Sequence, residues 1–382
     1  MADRVYVHIG LPKTGTSYLQ QTLWRSRHDL ARAGVLVPGE SHRVQRFAVW
    51  DLLGRRLRGV HQPRVPGSWQ RLVEDGRAWP GRQVMVSDDL LVHARPGHVR
   101  RIVRAFAPAE VHVVVTVRDL ARVICSMWQQ ELSKGRTWPW AEFLAAVRDP
   151  EHGAATAGVA FWLRYDLQKV LDVWRTAVPP ERVHIVVVPP AGSPPTELLE
   201  RFAAATGLDA AGLTPAPAEA NPSVGMAETE LLRRLNEALH GRLNERQYLH
   251  VMRQALKPAL RRRTRPITLP ATEHGWVTER SKEIVEMLHA EPYDVIGDLD
   301  DLIPRQRLDN AASPDEVSDA EIAQAAVSAL SSTVELYAAY WWRTRRRGRV
   351  DGPRARTRMA SARRALAFRA KLAGLERADR NR

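Results

Sequence analysis

The chain reads as an α/β protein built on a parallel sheet with helices on both faces. Three observations predict that class: short β-branched runs with no polar side, as in Val113-Val114-Val115 and Ile185-Val186-Val187-Val188; longer helical stretches between them; and a glycine-bearing turn where the first strand meets the first helix. A strand that is apolar on both faces has to be covered twice, which an open parallel sheet does with two layers of helices. The 382 residues allow one large domain with an appendage, or two domains. With 44% hydrophobic and 26% charged residues the chain can bury a sizeable core, which excludes wholesale disorder.

Taken in order, strands are predicted over residues 5–11, 35–38, 83–87, 111–117 and 183–188. Helices are predicted over 16–32, where Leu19 and Leu23 recur on one face, then over 119–134, 161–178 and 196–206, the last stopping at Gly207. After Leu213 the sequence turns Pro- and Ala-rich over 214–222, becomes a polar helix over 226–242, and continues as a Pro-punctuated segment to Pro304. With no second set of strands in view, this region is expected to be a helical cap on the same domain. A polar linker from Arg305 leads to a long helical pattern over 316–347 and an Arg-rich end. The expected division is therefore one domain over 1–304 and a linker with a basic helical extension over 305–382.

The formal charge of +14 suggests nucleic acid until its location is considered. From Trp341 to Arg382 fifteen Lys or Arg stand against Asp351, Glu376 and Asp379, a surplus of twelve that leaves residues 1–340 with only +2. Cys125 is the single cysteine, so an internal disulfide is excluded, and no CxxC pair exists for a zinc ribbon or an iron–sulfur site. The opening residues lack a basic segment followed by an apolar one, and no apolar run approaches the roughly 18 residues of a membrane span, so a cytoplasmic protein is expected. The 13 histidines show neither HxxxH nor HExxH spacing, and no metal site is expected.

The sharpest feature runs from His8 to Leu19, His-Ile-Gly-Leu-Pro-Lys-Thr-Gly-Thr-Ser-Tyr-Leu. A strand feeds a turn with two glycines that opens a helix, a place where main-chain N–H groups and the positive helix end converge on an anion. Lys13 and the hydroxyls of Thr14, Thr16 and Ser17 can add to it. Against the nucleotide triphosphatase loop GxxxxGK[ST], the glycines Gly10 and Gly15 have the right separation. The lysine has moved inside the loop, and Thr16 stands where it would be. At the end of the fourth strand stands Arg118 rather than an acid suited to Mg²⁺. A second anion-binding face follows: Arg118, Arg122 and Ser126 recur every four residues, and share one face wherever the segment is helical. Arg122 serves equally well as a partner of Asp119, and Cys125 reads as a small core residue.

The segment Pro12-Lys13-Thr14-Gly15-Thr16-Ser17 resembles the 5′-phosphosulfate loop of sulfotransferases that use 3′-phosphoadenosine 5′-phosphosulfate (PAPS), and the stretch from His8 to Gln20 is similar to bacterial members. The Arg and Ser eight positions apart that hold the cofactor's 3′-phosphate in that family are matched by Arg118 and Ser126, although Leu120 replaces a frequent proline. Asn221-Pro222-Ser223 and the segment from Tyr293 to Leu299 resemble later family segments, extending the likeness from about residue 5 to residue 304. The resemblance implies PAPS as donor and Lys13, Thr14, Gly15, Thr16, Ser17, Arg118 and Ser126 as its binding residues. Lys13 is also implied to be catalytic, by neutralising the leaving phosphate. Ser87-Asp88-Asp89 falls where bacterial relatives often have Ser-Ser-Glu, so Asp89 is implied as the base, with Asp88 as a competitor, helix capping as the plain alternative for either, and His8 and His42 in reserve.

A small-molecule, lipid-linked or glycan acceptor is expected. Two other readings stand beside this one: a P-loop kinase acting on a small molecule, and a nucleotide-binding protein without catalysis. Tyr340, Trp341 and Trp342 directly before the arginines suit an anionic membrane surface, or else pack on the body while the arginines are solvated. Nucleic acid is the least expected partner.

Overall fold

The computed structural model describes residues 2–54, 63–151, 155–217, 224–260, 264–305 and 313–350, with the side chains of His42, Ala155 and 343–350 left out of the description. The predicted fold class is what the chain adopts. Six parallel strands, β1 (Arg4–His8), β2 (Val35–Leu36), β3 (Gln83–Ser87), β4 (Glu110–Val117), β5 (Val183–Val187) and β6 (Asp294–Ile296), form one sheet in the order β2-β3-β1-β4-β5-β6. In register, Val7 of β1 stands between Val86 of β3 and Val113 of β4. The chain runs outward from β1 to β2 and β3, then crosses back over β1 to β4, so the carboxyl ends of β3, β1 and β4 meet at the switch point where open sheets take their ligands.

Strand alternation sorts the core into two layers. Val5, Val7, Val84, Val86, Val113 and Val115 face the larger core, while Tyr6, Met85, Val114 and Val186 face the other side. The second layer is closed by α1 (Thr16–Arg25), through Leu19 and Leu23, by α2 (Arg27–Arg32), through Leu30, and by Phe202 and Ala203 of a later helix. The larger layer is covered by α3 (His42–Leu52), α4 (Ser68–Ala78), α5 (Pro96–Phe106) and α6 (Leu120–Leu132), then by α7 (Trp140–Arg148), α8 (Ala155–Tyr165) and α9 (Leu167–Arg175). Phe202 belongs to α10 (Glu197–Thr206), which ends at Gly207 in the left-handed region (φ 63°), the expected cap.

Two long predicted helices are each broken in two by a polar residue. At Ser26 the backbone leaves the helix (ψ 1°), and the buried Oγ accepts the Thr214 N–H at 2.8 Å. At Asp166 the carboxylate accepts the Lys169 N–H at 3.2 Å and starts α9 as its cap. The first strand closes at His8, yet the Ile9 and Leu11 N–H groups still bond to Val114 and Thr116 carbonyls of β4, which keeps the chain extended into the loop.

The region after Leu213 is helical as expected, with α11 (Met226–Leu239), α12 (Glu245–Val251), a π-turn over Met252–Leu256, α13 (Lys257–Ala259) and α14 (His274–His289). It also contributes the three-residue edge strand β6, too short to register as a β-rich run. The extension does not begin free of the body. In α15 (Asp319–Val350) Ile322 and Ala325 pack with Val317 on Met226 and Ala227 of α11, and Asp315 accepts the Trp140 and Ala141 N–H groups that open α7, at 2.9 and 2.8 Å.

Candidate functional site

The three strand ends at the switch point deliver Lys13, Asp89 and Arg118 to one rim. The loop after β1 makes three left-handed turns, at Gly10 (φ 64°), Lys13 (φ 69°) and Gly15 (φ 85°). Lys13 is the sole non-glycine described with a positive φ, a conformation that costs on the order of 1–2 kcal/mol and persists only where the surroundings impose it. Its result is a concave turn. Among the described residues, the N–H groups of Lys13, Thr14, Gly15, Thr16 and Ser17 take no main-chain acceptor. Five successive unpaired donors at the start of α1 form an anion nest with the positive end of the helix behind it.

The loop is braced from below. Thr14 is fully buried, and its hydroxyl donates to the Leu11 carbonyl at 2.5 Å and meets the Thr116 hydroxyl at 2.6 Å. Thr116 in turn lies 3.3 Å from His8 Nε2, whose Nδ1 is 2.7 Å from the Ser87 hydroxyl. Burial pulls His8 down to about 3, so it stays neutral at physiological pH and belongs to this bracing chain. On the other side Tyr165 donates its hydroxyl to the Pro12 carbonyl. The hydroxyls grouped together in the sequence therefore separate: Thr14 points inward, Thr16 is buried in the first turn of α1, and Ser17 is exposed at the mouth.

The two glycines are needed for close approach. A Cβ on Gly10 would meet Thr16 Cγ2 at 2.4 Å and Asp89 Cβ at 3.5 Å, and one on Gly15 would meet Leu198 Cδ2 at 2.4 Å. Asp89 thus lies against the loop. The Asp88–Asp89 pair is resolved by division of labour: Asp88 accepts the Leu90 N–H at 2.9 Å as the cap of the short 3₁₀ turn Asp89–His93, and is nearly buried. Arg46 of α3 clamps both, Nε to Asp88 at 2.8 Å and Nη2 to Asp89 at 2.6 Å. Asp89 keeps 26% of its side chain exposed, against 3% for Asp88, which makes it the carboxylate of the two that a substrate can reach.

The charge at the rim is mostly positive. Burial and the neighbouring cations Lys257, Arg118 and Lys134 lower the Lys13 ammonium to about 8, with Asp89 opposing. Arg118 donates from Nη1 to the Lys13 carbonyl at 3.2 Å, and burial lowers its guanidinium as well. Among the described residues its Nε is buried without a partner, as is the hydroxyl of Ser281 from α14, and both residues line a cavity of about 30 Å³ with Leu11 and Tyr165. That space suits one or two waters bridging the two groups. Ser126 is half-buried two turns into α6, and its hydroxyl has no partner among the described residues. Arg122 is an internal tie: it pairs with Asp119, and its Nη1 and Nη2 donate to the Pro189 carbonyl at 3.2 and 3.1 Å. Cys125 is a buried core residue whose thiol burial pushes up to about 12.

Of the further segments, Asn221-Pro222-Ser223 lies outside the described residues, as does the side chain of His42, while the segment from Tyr293 to Leu299 forms β6 and the turn after it. Among the described residues no group of three or more His, Cys, Asp or Glu could hold a metal ion, and no helix is long and apolar enough to cross a membrane. Sequence reasoning missed Arg46, Tyr165, Thr116 and Ser281. Only Arg46 left a signal: two adjacent acids at the end of a buried strand demand a counter-charge.

The rim thus brings a turn of N–H groups without main-chain acceptors beside Lys13, Arg118 and the more exposed carboxylate of the Asp88–Asp89 pair. A crystal structure of a sulfotransferase from Alicyclobacillus acidocaldarius is similar over 66% of this chain and 95% of its own, at 14% identity and a TM-score of 0.37. No protein-family model and no curated protein matches the chain.

Proposed function

We propose that the protein is a PAPS-dependent sulfotransferase, moving a sulfuryl group to a hydroxyl or amine of a small-molecule, lipid-linked or glycan acceptor in the cytoplasm. The observation that carries this reading is the nest of five unpaired N–H groups at residues 13–17, wound around a half-buried Lys13 and backed by Arg118. Its lysine sits inside the turn, beside whatever anion the nest holds.

The donor supplies a phosphosulfate whose S–O bond to phosphate breaks as the bond from sulfur to the acceptor atom forms, the bisphosphate leaving with the electron pair. The chain's own residues then have four tasks. The nest and the Ser17 hydroxyl hold the 5′-phosphosulfate oxygens. Lys13 sets its ammonium against the charge that develops on the leaving phosphate, the kind of preorganised electrostatic contribution that dominates such transfers. Arg118 and Ser126 take the 3′-phosphate, Arg118 with its fork held by the Lys13 carbonyl. Asp89 accepts the acceptor's proton while Arg46 fixes its orientation.

The test is a calorimetric titration of wild type and Arg118→Ala with 3′-phosphoadenosine 5′-phosphate, and separately with ATP and Mg²⁺. The bisphosphate is expected to bind without metal, with Arg118→Ala weaker by about 1.5–3 kcal/mol for a lost charged hydrogen bond. Binding of Mg·ATP alone would favour a kinase, and binding of neither nucleotide would remove both readings.

A further inference from the structure

Helix α15 runs over 32 residues, but only its first turns are held by the body, through Ile322, Ala325 and Ala329. Beyond them stands a row of large apolar side chains in the open: Val327 (61% exposed), Leu330 (65%), Val334 (59%), Tyr337 (68%) and Trp341 (38%). Their spacing is three, four, three, four. That is the a/d period of a coiled coil, and at 3.6 residues per turn the row lies roughly a third of a turn away from the residues that touch the body. From Val327 to Tyr337 the row is a narrow seam, unlike the broad apolar face, of about 100° or more, that an amphipathic helix presents; the exposed Tyr340 and Trp342 widen it only at its end. Most of its flanks are small, with Ala326, Ser331, Thr333 and Ala338 beside it and the exposed Tyr340 only at its end, which lets a second helix approach closely around Ser331.

We propose that this seam pairs with the same seam of a second copy of the chain, antiparallel, to form a twofold dimer. The charge along the helix sets the direction. Asp319 and Glu321 stand in its first turn, with Asp315 and Glu316 just before it, and arginines stand at 343, 345, 346, 347 and 349 in its last turns. Parallel pairing stacks arginine-bearing turns on each other, whereas antiparallel pairing lays the basic end of one helix along the acidic start of the other. Asp319 already accepts from Arg234 at 2.8 Å, yet 88% of its side chain remains exposed to a second cation.

The register follows from the same sequence. Matching a against d across an antiparallel pair sets Leu330 beside Val334 of the second copy, Val327 beside Tyr337, and the small Ala323 beside the bulky Trp341, each repeated by the twofold. In this register heptad position g of the first turn, Asp319, aligns with position g of the last turns, residue 347. The dyad passes near Ser331, an exposed flanking position that then faces its own copy.

The test uses the full chain. Light scattering at micromolar protein is expected to give twice the 43.0 kDa chain mass for wild type, and the single-chain mass for the double variant Leu330→Glu, Val334→Glu. Both positions are exposed, so the variant should keep the wild-type fold by circular dichroism, while its melting temperature loses the dependence on protein concentration expected of the wild-type dimer. Ser331→Cys is expected to oxidise to a covalent dimer, without competition from the buried Cys125. A monomeric wild type, a dimer that survives the double variant, or a dimer in which Ser331→Cys fails to crosslink would each overturn the proposal. So would a monomer that binds vesicles of phosphatidylcholine and phosphatidylserine through these residues.

Discussion

Lys13 combines a strained backbone, burial and cationic neighbours, and each bears on how it titrates. Its ammonium is lowered from 10.5 to about 8 by burial first, then by Lys257, Arg118 and Lys134. The charged form is what burial penalises, so in the free protein that cost is complete below pH 8 and is relieved as pH rises from about 8 toward 10.5. A bound polyanion acts in the opposite direction and raises the value, so binding takes up a proton near pH 8. Affinity for 3′-phosphoadenosine 5′-phosphate should therefore fall above pH 8, by up to about tenfold per pH unit for one linked proton. Lys13→Met should bind weakly at every pH and show no such slope, and a slope that survives the substitution would place the titration elsewhere. The neighbouring carboxylates should separate by readout. Asp88→Ala removes a cap and half of the Arg46 clamp, and urea unfolding should show a loss of about 1–2 kcal/mol. Asp89→Asn should leave the unfolding midpoint and bisphosphate affinity near wild type while kcat falls on the order of 10²–10⁴. An Asp89→Asn variant with wild-type kcat would remove Asp89 from the base role.

At the level of elements, the strand–turn–helix from β1 to α1 was the most legible part of the chain. Its signals are local: a β-branched run, two glycines at left-handed turns, and leucines recurring four apart. The central strands were legible for the same reason, since a strand covered on both faces has to be apolar throughout. What the sequence hid depends on partners far along the chain. Ser26 ends α1 because Thr214, 188 residues on, needs its oxygen, and β6 is a strand only because β5 is there to pair with it. The loop hydroxyls show the same limit, for which of them points inward depends on His8 and Thr116. Thr14→Val should remove the bonds to Leu11 and Thr116, leave the Thr116 hydroxyl only its longer contact with His8, and cost about 1–3 kcal/mol of stability. Ser17→Ala, at the exposed mouth, should leave the thermal midpoint unchanged and weaken bisphosphate binding by about 0.5–1.5 kcal/mol. The reverse pattern would mean that the two hydroxyls exchange roles.

For the whole molecule the question is where the folded body ends, because composition and packing answer it differently. Charge changes at Trp341, after which twelve of the fourteen surplus positive charges are found. The division expected from the sequence falls at residue 304. Packing reaches further: Val317, Ile322 and Ala325 bury Met226 and Ala227, and Asp315 supplies acceptors for two N–H groups that open α7. A chain ending after residue 304 loses those side chains and uncovers their partners on α11. At about 25 cal/mol per Å² of apolar surface, and with two uncapped donors, the penalty should be roughly 3–5 kcal/mol. A chain ending after residue 331 keeps all of these contacts and drops the arginines. It should unfold at a clearly higher urea concentration than the shorter chain, bind bisphosphate with wild-type affinity, and elute far earlier from a cation exchanger, since the remaining body is nearly neutral. Equal stability of the two truncations would mean that the contacts from 313 to 326 add nothing to the body. Loss of bisphosphate affinity in the longer chain would instead mean that the basic end reaches the rim where Lys13 and Arg118 lie.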